Sequence, residues 1–141
     1  MNKERIVEIL NEDLSFELAA TIQYLWHHYM AEGMESPAII DEFEETSRDE
    51  MKHIEVLAQR IIYLGGQPTT RMAPVKKGGS LKKMISDDLE AENGAIERYR
   101  RHIKIMDSEG DPTSRLMLEQ ILTVEEKHAD TWETVLALRK K

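Results

Sequence analysis

Residues 50–53 read EMKH and residues 125–128 read EEKH, so a glutamate is followed by a histidine three positions later at two places in the chain. A further glutamate precedes each pair by 33 residues, Glu17 in the first case and Glu92 in the second. On a helix, a separation of three places both side chains on one face. The sequence therefore predicts two similar halves, each with one glutamate-bearing helix and one helix that carries a Glu-x-x-His pair.

The segments around these residues have the apolar spacing and the end signals of long helices. In the first segment, apolar residues recur at helical spacing at Ile6, Leu10, Leu14, Leu18 and Ile22. We predict four helices, at about residues 3–32, 37–64, 81–108 and 112–138.

Polar residues that favour the N-cap position stand at the start of each segment, and two of them precede a proline, which favours the first helical position. These N-caps are Asn2, Ser36 before Pro37, Ser80, and Asp111 before Pro112. Glycines at 33, 65–66 and 110 mark where the first three helices should stop.

One connection is much longer than the other two, the sixteen residues GGQPTTRMAPVKKGGS at 65–80. Short links join helices one to two and three to four, which predicts two antiparallel hairpins. Extended, the long link reaches roughly 50 Å, more than the ~40 Å of a helix in this bundle. We therefore predict an all-α four-helix bundle, a single domain over residues 1–141, with a crossover that leaves helices two and three parallel.

The paired acids and histidines lie on the apolar stripes of their helices; Glu17, for example, shares a face with Leu10 and Tyr24. Burying one unpaired carboxylate costs several kcal/mol, and four converging carboxylates would also repel one another. Two divalent cations cancel four negative charges. We therefore predict a two-metal carboxylate site with the ligands Glu17, Glu50, His53, Glu92, Glu125 and His128. This ligand set suits iron or manganese, whereas zinc can enter but is redox-silent.

Composition excludes several other classes of function. The net charge of −8 disfavours binding to nucleic acid and to anionic membranes. The absence of cysteine excludes disulfides, thiolate metal sites and iron–sulfur clusters. No stretch has the apolar length of a membrane span, and the first residues, MNKERIVEILNEDL, do not read as a signal peptide. We expect a cytoplasmic protein.

At these residues the sequence resembles the ferritin-like superfamily and, within it, bacterioferritin. The resemblance covers nearly the whole chain and all six ligand positions. It is carried by ELAATIQY at 17–24, DEMKH at 49–53, RIIYLGGQP at 60–68, DLEAE at 88–92 and EEKH at 125–128.

The resemblance implies a ferritin-like fold and a role for each ligand. Glu50 and Glu125 would bridge two iron ions, while Glu17 with His53, and Glu92 with His128, would complete the two ends. The implied activity is that of a ferroxidase, which oxidises Fe(II) with O2 or H2O2 and deposits ferric mineral inside a shell. Met51 stands where bacterioferritins place a haem-ligating methionine.

Three features depart from the bacterioferritin pattern. The sequence stops at Lys141 without the short fifth helix, which puts the large cage in question. Glu45 stands where many bacterioferritins have an inner-surface histidine, next to the aspartate matched by Asp49, so internal electron or iron transfer is expected to differ. The twin tyrosines Tyr24 and Tyr99 are more like rubrerythrin, although the rubredoxin cysteines and an extra glutamate at the position of Ala95 are absent.

Several residues allow more than one interpretation. Met51 either binds haem or packs against a neighbour. Tyr24 and Tyr99 are redox relays, hydrogen-bond partners of the terminal glutamates, or ordinary core tyrosines. These two tyrosines and the four glutamates of the predicted metal site are our candidate catalytic residues: Tyr24, Tyr99, Glu17, Glu50, Glu92 and Glu125.

Other histidines and one glycine have simpler interpretations. His27 and His28 lie near the end of helix one, where exposure or the helix dipole accounts for them. His102 is expected at the surface or at an interface. Gly94 stands in mid-helix, and close helix packing would explain it.

Three functions are consistent with the sequence. The first is a bacterioferritin-like ferroxidase for iron storage or detoxification, acting as a homo-oligomer through outward residues such as Trp26, Tyr29 and Met30. The second is a rubrerythrin-like protein that reduces peroxide. The third is a non-catalytic metal-binding bundle.

Overall fold

The structure, a computed structural model, describes residues 1–139. Its four long helices are α1 (Lys3–Met30), α2 (Ile40–Tyr63), α3 (Leu81–Ser108) and α4 (Pro112–Val135). A short 3-10 turn, Ser36–Ala38, precedes α2. Across residues 1–139 there is no strand, so the predicted all-α class is confirmed. No helix in this range is long and apolar enough to cross a membrane.

Three of the four predicted N-caps are confirmed. The Asn2 side chain accepts a hydrogen bond from the Arg5 amide, and Ser80 accepts one from the Lys83 amide. Asp111 accepts one from the Ser114 amide, with proline in the first turn of α4. These bonds satisfy amide groups that have no partner within the helix.

The predicted start of the second helix is wrong. The Ser36 hydroxyl donates to the carbonyl of Gly33 at 2.7 Å, on the side away from the helix, so it does not cap an α-helix. The helix starts at Ile40, and its N-cap, Ile39, makes no side-chain capping bond.

Two predicted helix ends are too late. α1 ends at Met30 because Ala31 is already extended, with φ −63° and ψ 127°. α4 ends at Val135, where Ala137 takes φ 56° and the Leu138 amide donates back to the carbonyl of Glu133. Glycine usually occupies this position in a helix-ending turn. Because the residue here is alanine, the end of α4 could not be predicted from the sequence.

Contacts between helix ends fix the topology. The start of α1 meets the end of α3, where the Asn2 amide donates to Glu109 at 2.9 Å. The end of α2 meets the start of α4, where Arg60 donates to Asp111 at 2.8 Å. α1 also packs along α2, and α3 along α4. The ferritin-like bundle with parallel α2 and α3 is thereby confirmed.

The crossover runs along the outside of α1. The Ala73 amide donates to the carbonyl of Ser15 at 3.0 Å, and the Lys76 amide donates to Gln23 at 2.9 Å. Near its start, Asn11 contacts Gln67.

The apolar core is split into two clusters with a polar layer between them. One cluster contains Leu10, Leu57 and Leu118, and the other is built around Phe43 and Trp132. The predicted stripe on α1 fails at its last position, since Ile22 is 46% exposed. The buried face continues instead through the polar residues that form the candidate site.

Candidate metal centre

The structure brings the six predicted ligands together in the polar layer. The six residues form two overlapping groups of four. Within each group, the potential ligand atoms all lie within 4.8 Å of one another, and every residue is buried. Glu17 and His53 complete the first group, and Glu92 and His128 complete the second. Both groups share Glu50 and Glu125.

Each histidine points its Nδ1 atom at three carboxylates. His53 Nδ1 lies 3.5 Å from Glu17, 3.6 Å from Glu50 and 3.2 Å from Glu125. His128 Nδ1 lies 3.3 Å from Glu50, 3.3 Å from Glu92 and 3.8 Å from Glu125. The i, i+3 spacing on α2 and α4 is what directs each pair inward.

Six side-chain atoms that could bind metal at the centre of this layer have no hydrogen-bond partner. They are Glu17 Oε2, Glu50 Oε1, His53 Nδ1, Glu92 Oε2, Glu125 Oε1 and His128 Nδ1. A buried polar atom left unpaired costs about 1–3 kcal/mol, so six around one point would be an expensive arrangement. Four carboxylates and two imidazoles fit two divalent cations, which would satisfy all six atoms.

The carboxylates cannot all be ionised while no cation is bound. Burial, and then the charge of Glu125, raises the pKa of Glu50 and of Glu92 well above the usual value. Burial alone would raise the pKa of Glu125, but interaction with His53 and the neighbouring acids outweighs it and lowers that pKa to about 2. Burial opposes a charged His53, yet Glu125 and Glu17 raise its pKa to about 10. Without a cation, protons bound by Glu50, Glu92 and His53 therefore offset the negative charge of the layer.

Each predicted tyrosine bonds a glutamate of the other hairpin. Tyr24 on α1 donates to Glu92 at 2.8 Å, and Tyr99 on α3 donates to Glu17 at 2.6 Å. Burial and the adjacent glutamate raise the pKa of both hydroxyls, so each keeps its proton. Trp132 in turn donates to the Tyr24 hydroxyl at 2.9 Å. Of our interpretations, hydrogen bonding is seen; the redox role stays a prediction.

Two buried hydrogen-bond networks next to the centre were not predicted from the sequence. Asp13 accepts from Arg98 at 2.8 Å and lies 2.9 Å from His102. All three residues are buried, so the expectation that His102 lies at the surface is wrong.

The second network contains His27, which is fully buried, so exposure does not account for it, although it does lie in the last turn of α1. Its Nδ1 lies 2.8 Å from Asp88 and its Nε2 lies 3.1 Å from the carbonyl of Lys76. Gln23 donates to the same aspartate at 2.8 Å. His28 is half-buried, with Nδ1 2.8 Å from the carbonyl of Ile40.

A repeated pattern in the sequence could have revealed both networks. Residues 13–27 and 88–102 share the form D-x3-E-x5-[Q/R]-Y-x2-H, offset by 75 positions. The aspartate of each copy lies against the glutamine or arginine and the histidine of the other copy. The pattern thus records an internal two-fold relation between α1 and α3.

A cavity of about 390 Å³ between α1 and α3 reaches the centre. Phe16, Ala20, Ala91 and Gly94 are among its lining residues, and so are all four glutamates of the predicted site. A Cβ atom added at Gly94 would meet nothing within 4 Å. The expectation that close packing explains this glycine is therefore wrong, because it borders open space.

Met51 lies away from the two-metal site. Its side chain is 53% exposed on α2, so it does not contribute to the polar layer. Haem binding by Met51 stays a prediction.

Both the sequence and the fold of this chain are similar to those of known proteins. The sequence profile of the ferritin-like domain matches residues 7–141. The bacterioferritin of Streptomyces coelicolor is 39% identical over 96% of this chain and 82% of its own length. A ferritin-like diiron-carboxylate protein of Bacillus anthracis superposes with a TM-score of 0.91 at 28% identity, covering 95% of this chain and 96% of that one. The bacterioferritin of Desulfovibrio desulfuricans, solved with its diiron site in different catalytic states, gives a TM-score of 0.89 at 30% identity, covering 94% of this chain and 78% of that one. The chain therefore belongs to the ferritin-like family, in the group that contains the bacterioferritins.

Proposed function

We propose that this protein binds two iron ions in the polar layer and oxidises Fe(II) to Fe(III) there, for iron storage or detoxification. One observation carries the proposal: six unpaired donor atoms converge in two groups that share Glu50 and Glu125. The bacterioferritin relatives support iron as the metal.

The chain would hold the two ions in a nearly symmetric cradle. Glu50 and Glu125 would contact both ions, and each end would be completed by one glutamate and one histidine Nδ1. Bound iron supplies one electron per ion for the reduction of O2 or peroxide. Tyr24 and Tyr99 fix the terminal glutamates by occupying one oxygen of each and leaving the other oxygen free.

Charge favours the same assignment. Four ionised glutamates balance two divalent cations, so loading the centre removes both the repulsion and the need for bound protons. The cavity between α1 and α3 offers Fe(II) and the oxidant a path from solvent to the carboxylates.

We also propose a homo-oligomer. Ile22, Trp26, Tyr29 and Met30 are exposed apolar residues on α1, and Met51 is exposed on α2. A second copy of the chain would cover them. Analytical ultracentrifugation that gave a monomer at all concentrations would contradict this part.

The test of the function is aerobic loading with excess Fe(II), followed by desalting and iron analysis. We expect the absorbance of ferric iron to develop with wild-type protein and not with Glu50→Gln. Glu45→Gln, an exposed acid on the same helix, is the matched control and should oxidise iron normally. Many irons retained per chain would indicate a mineral store, and about two would indicate a discrete two-iron enzyme.

The paired tyrosine–glutamate bonds favour a second candidate, a rubrerythrin-like peroxide reductase. That function predicts fast oxidation of the Fe(II)-loaded protein by H2O2 and slow oxidation by O2. Stopped-flow comparison of the two oxidants at equal concentration separates the candidates.

A further inference from the structure

The internal two-fold relation makes the two ends of the centre directly comparable. Adding 75 to a residue number in the first hairpin gives its counterpart in the second, which relates Glu17 to Glu92 and His53 to His128. The ligands and the tyrosines are identical under this relation. Residues that differ under it can make the two metal positions unequal.

The first difference lies behind the histidines. Asp49 Oδ2 lies 2.9 Å from Nε2 of His128. Its counterpart in the other hairpin is Val124, which offers no side-chain acceptor. Within residues 1–139, no hydrogen bond is made by Nε2 of His53.

This contact decides which imidazole nitrogen is available. A neutral imidazole carries one proton, and the Asp49 carboxylate holds it on Nε2. Nδ1 of His128 is then left with a free electron pair, aimed at Glu50 and Glu92 at 3.3 Å each. A carboxylate behind a ligating histidine also fixes the orientation of the ring.

A second difference lies behind the terminal glutamates. Trp132 donates to the Tyr24 hydroxyl, which itself donates to Glu92. The counterpart of Trp132 is Leu57, which has no donor for the equivalent tyrosine. Both differences therefore lie at the same end of the centre, the one formed by Glu92 and His128.

We infer that the two metal positions are unequal: the position at Glu92 and His128 binds a divalent cation first, and Asp49 is the positioning residue that makes it the tighter one. The inference rests on the proposed function, since it concerns the same centre. Loss of such a partner typically costs about 10- to 100-fold in metal affinity, and that is the difference we expect between the two steps.

Calorimetric titration of the metal-free protein with Co(II) tests this inference. Wild-type protein should bind two ions in two resolved steps. In Asp49→Asn, the first step should weaken about 10- to 100-fold, so that the steps merge. Glu45→Gln removes the same charge one helical turn away and should leave both steps unchanged.

A substitution at the counterpart position should strengthen metal binding. Val124→Asp places a carboxylate at the counterpart of Asp49, and we expect it to tighten the second step toward the first. The order of filling is read from His53→Ala, which should keep the tighter step, and from His128→Ala, which should lose it.

The outcomes separate the two claims. Two equal steps in wild-type protein, or an unchanged first step in Asp49→Asn, would overturn the inference and leave the metal centre standing. No binding of Co(II) by wild-type protein would overturn the proposed function as well. Circular dichroism of each variant verifies that the bundle is folded.

Discussion

The hydroxyl of Tyr99 lies 2.6 Å from Oε1 of Glu17, so a residue of α3 holds a proposed metal ligand that belongs to α1. The counterpart bond, from Tyr24 on α1 to Glu92 on α3, runs in the opposite direction at 2.8 Å. Each hairpin therefore fixes the terminal glutamate of the other hairpin. The centre is a property of the assembled bundle and not of either half.

Tyr99→Phe tests this bond. Removing the hydroxyl leaves a buried oxygen of Glu17 without a donor, which should destabilise the metal-free protein by about 1–3 kcal/mol. Co(II) affinity should also fall, because the glutamate is no longer held in place. Urea unfolding with and without Co(II) measures both effects. Tyr63→Phe, at an exposed position near the end of α2, is the control and should change neither.

Glu50→Gln should separate stability from metal binding. The amide removes a carboxylate that is buried among others, so the Tm of the metal-free protein should stay the same or rise. A cation at about a thousand times its dissociation constant stabilises a fold by about 4 kcal/mol, or roughly 10 °C in Tm for a chain of this size. That metal-induced rise should vanish in Glu50→Gln and persist in Glu45→Gln. Loss of folding without metal in Glu50→Gln would contradict the account.

Metal binding should release protons. His53, with a pKa of about 10, is protonated at neutral pH before metal arrives, and the raised pKa values of Glu50 and Glu92 favour bound protons there too. Ligation needs the unprotonated forms, so Co(II) affinity should increase with pH and fall as the solution becomes acidic.

Calorimetry in buffers of different ionisation enthalpy counts these protons. We expect at least one proton released per chain on filling the centre, and fewer in His53→Gln. A heat of binding that does not depend on the buffer would be incompatible with this protonation scheme.

Gly94 should control access to the centre. Replacing a mid-helix glycine with alanine or leucine favours the helix by about 1 kcal/mol, and both variants should be more stable than wild type. Only leucine extends far into the cavity. Gly94→Leu should therefore slow Fe(II) oxidation several-fold while leaving equilibrium Co(II) affinity unchanged. Equal rates in Gly94→Leu and Gly94→Ala would mean that iron and oxidant enter elsewhere.

Sequence analysis predicted the ligand constellation because its evidence is local. An acid on an apolar stripe, a histidine three residues later and a repeated spacing of 33 can all be read without knowing the fold. The N-caps Asn2, Ser80 and Asp111 were equally readable, since each bonds an amide three residues away.

The errors arose where the partner is distant in sequence. His27 meets Asp88 and His102 meets Asp13, at separations of 61 and 89 residues, so neither histidine could be recognised as buried from its neighbours alone. The contact between Asp49 and His128 spans 79 residues. The end of α4 was missed for a different reason, because Ala137 takes a backbone conformation usually left to glycine.

The proposed two-iron centre can be located by anomalous X-ray diffraction from crystals soaked anaerobically with Fe(II) and measured at the iron edge. We expect two peaks in the polar layer, one beside Nδ1 of His53 and one beside Nδ1 of His128, with Glu50 and Glu125 in contact with both. Peaks only at exposed acids, or none in that layer, would contradict it.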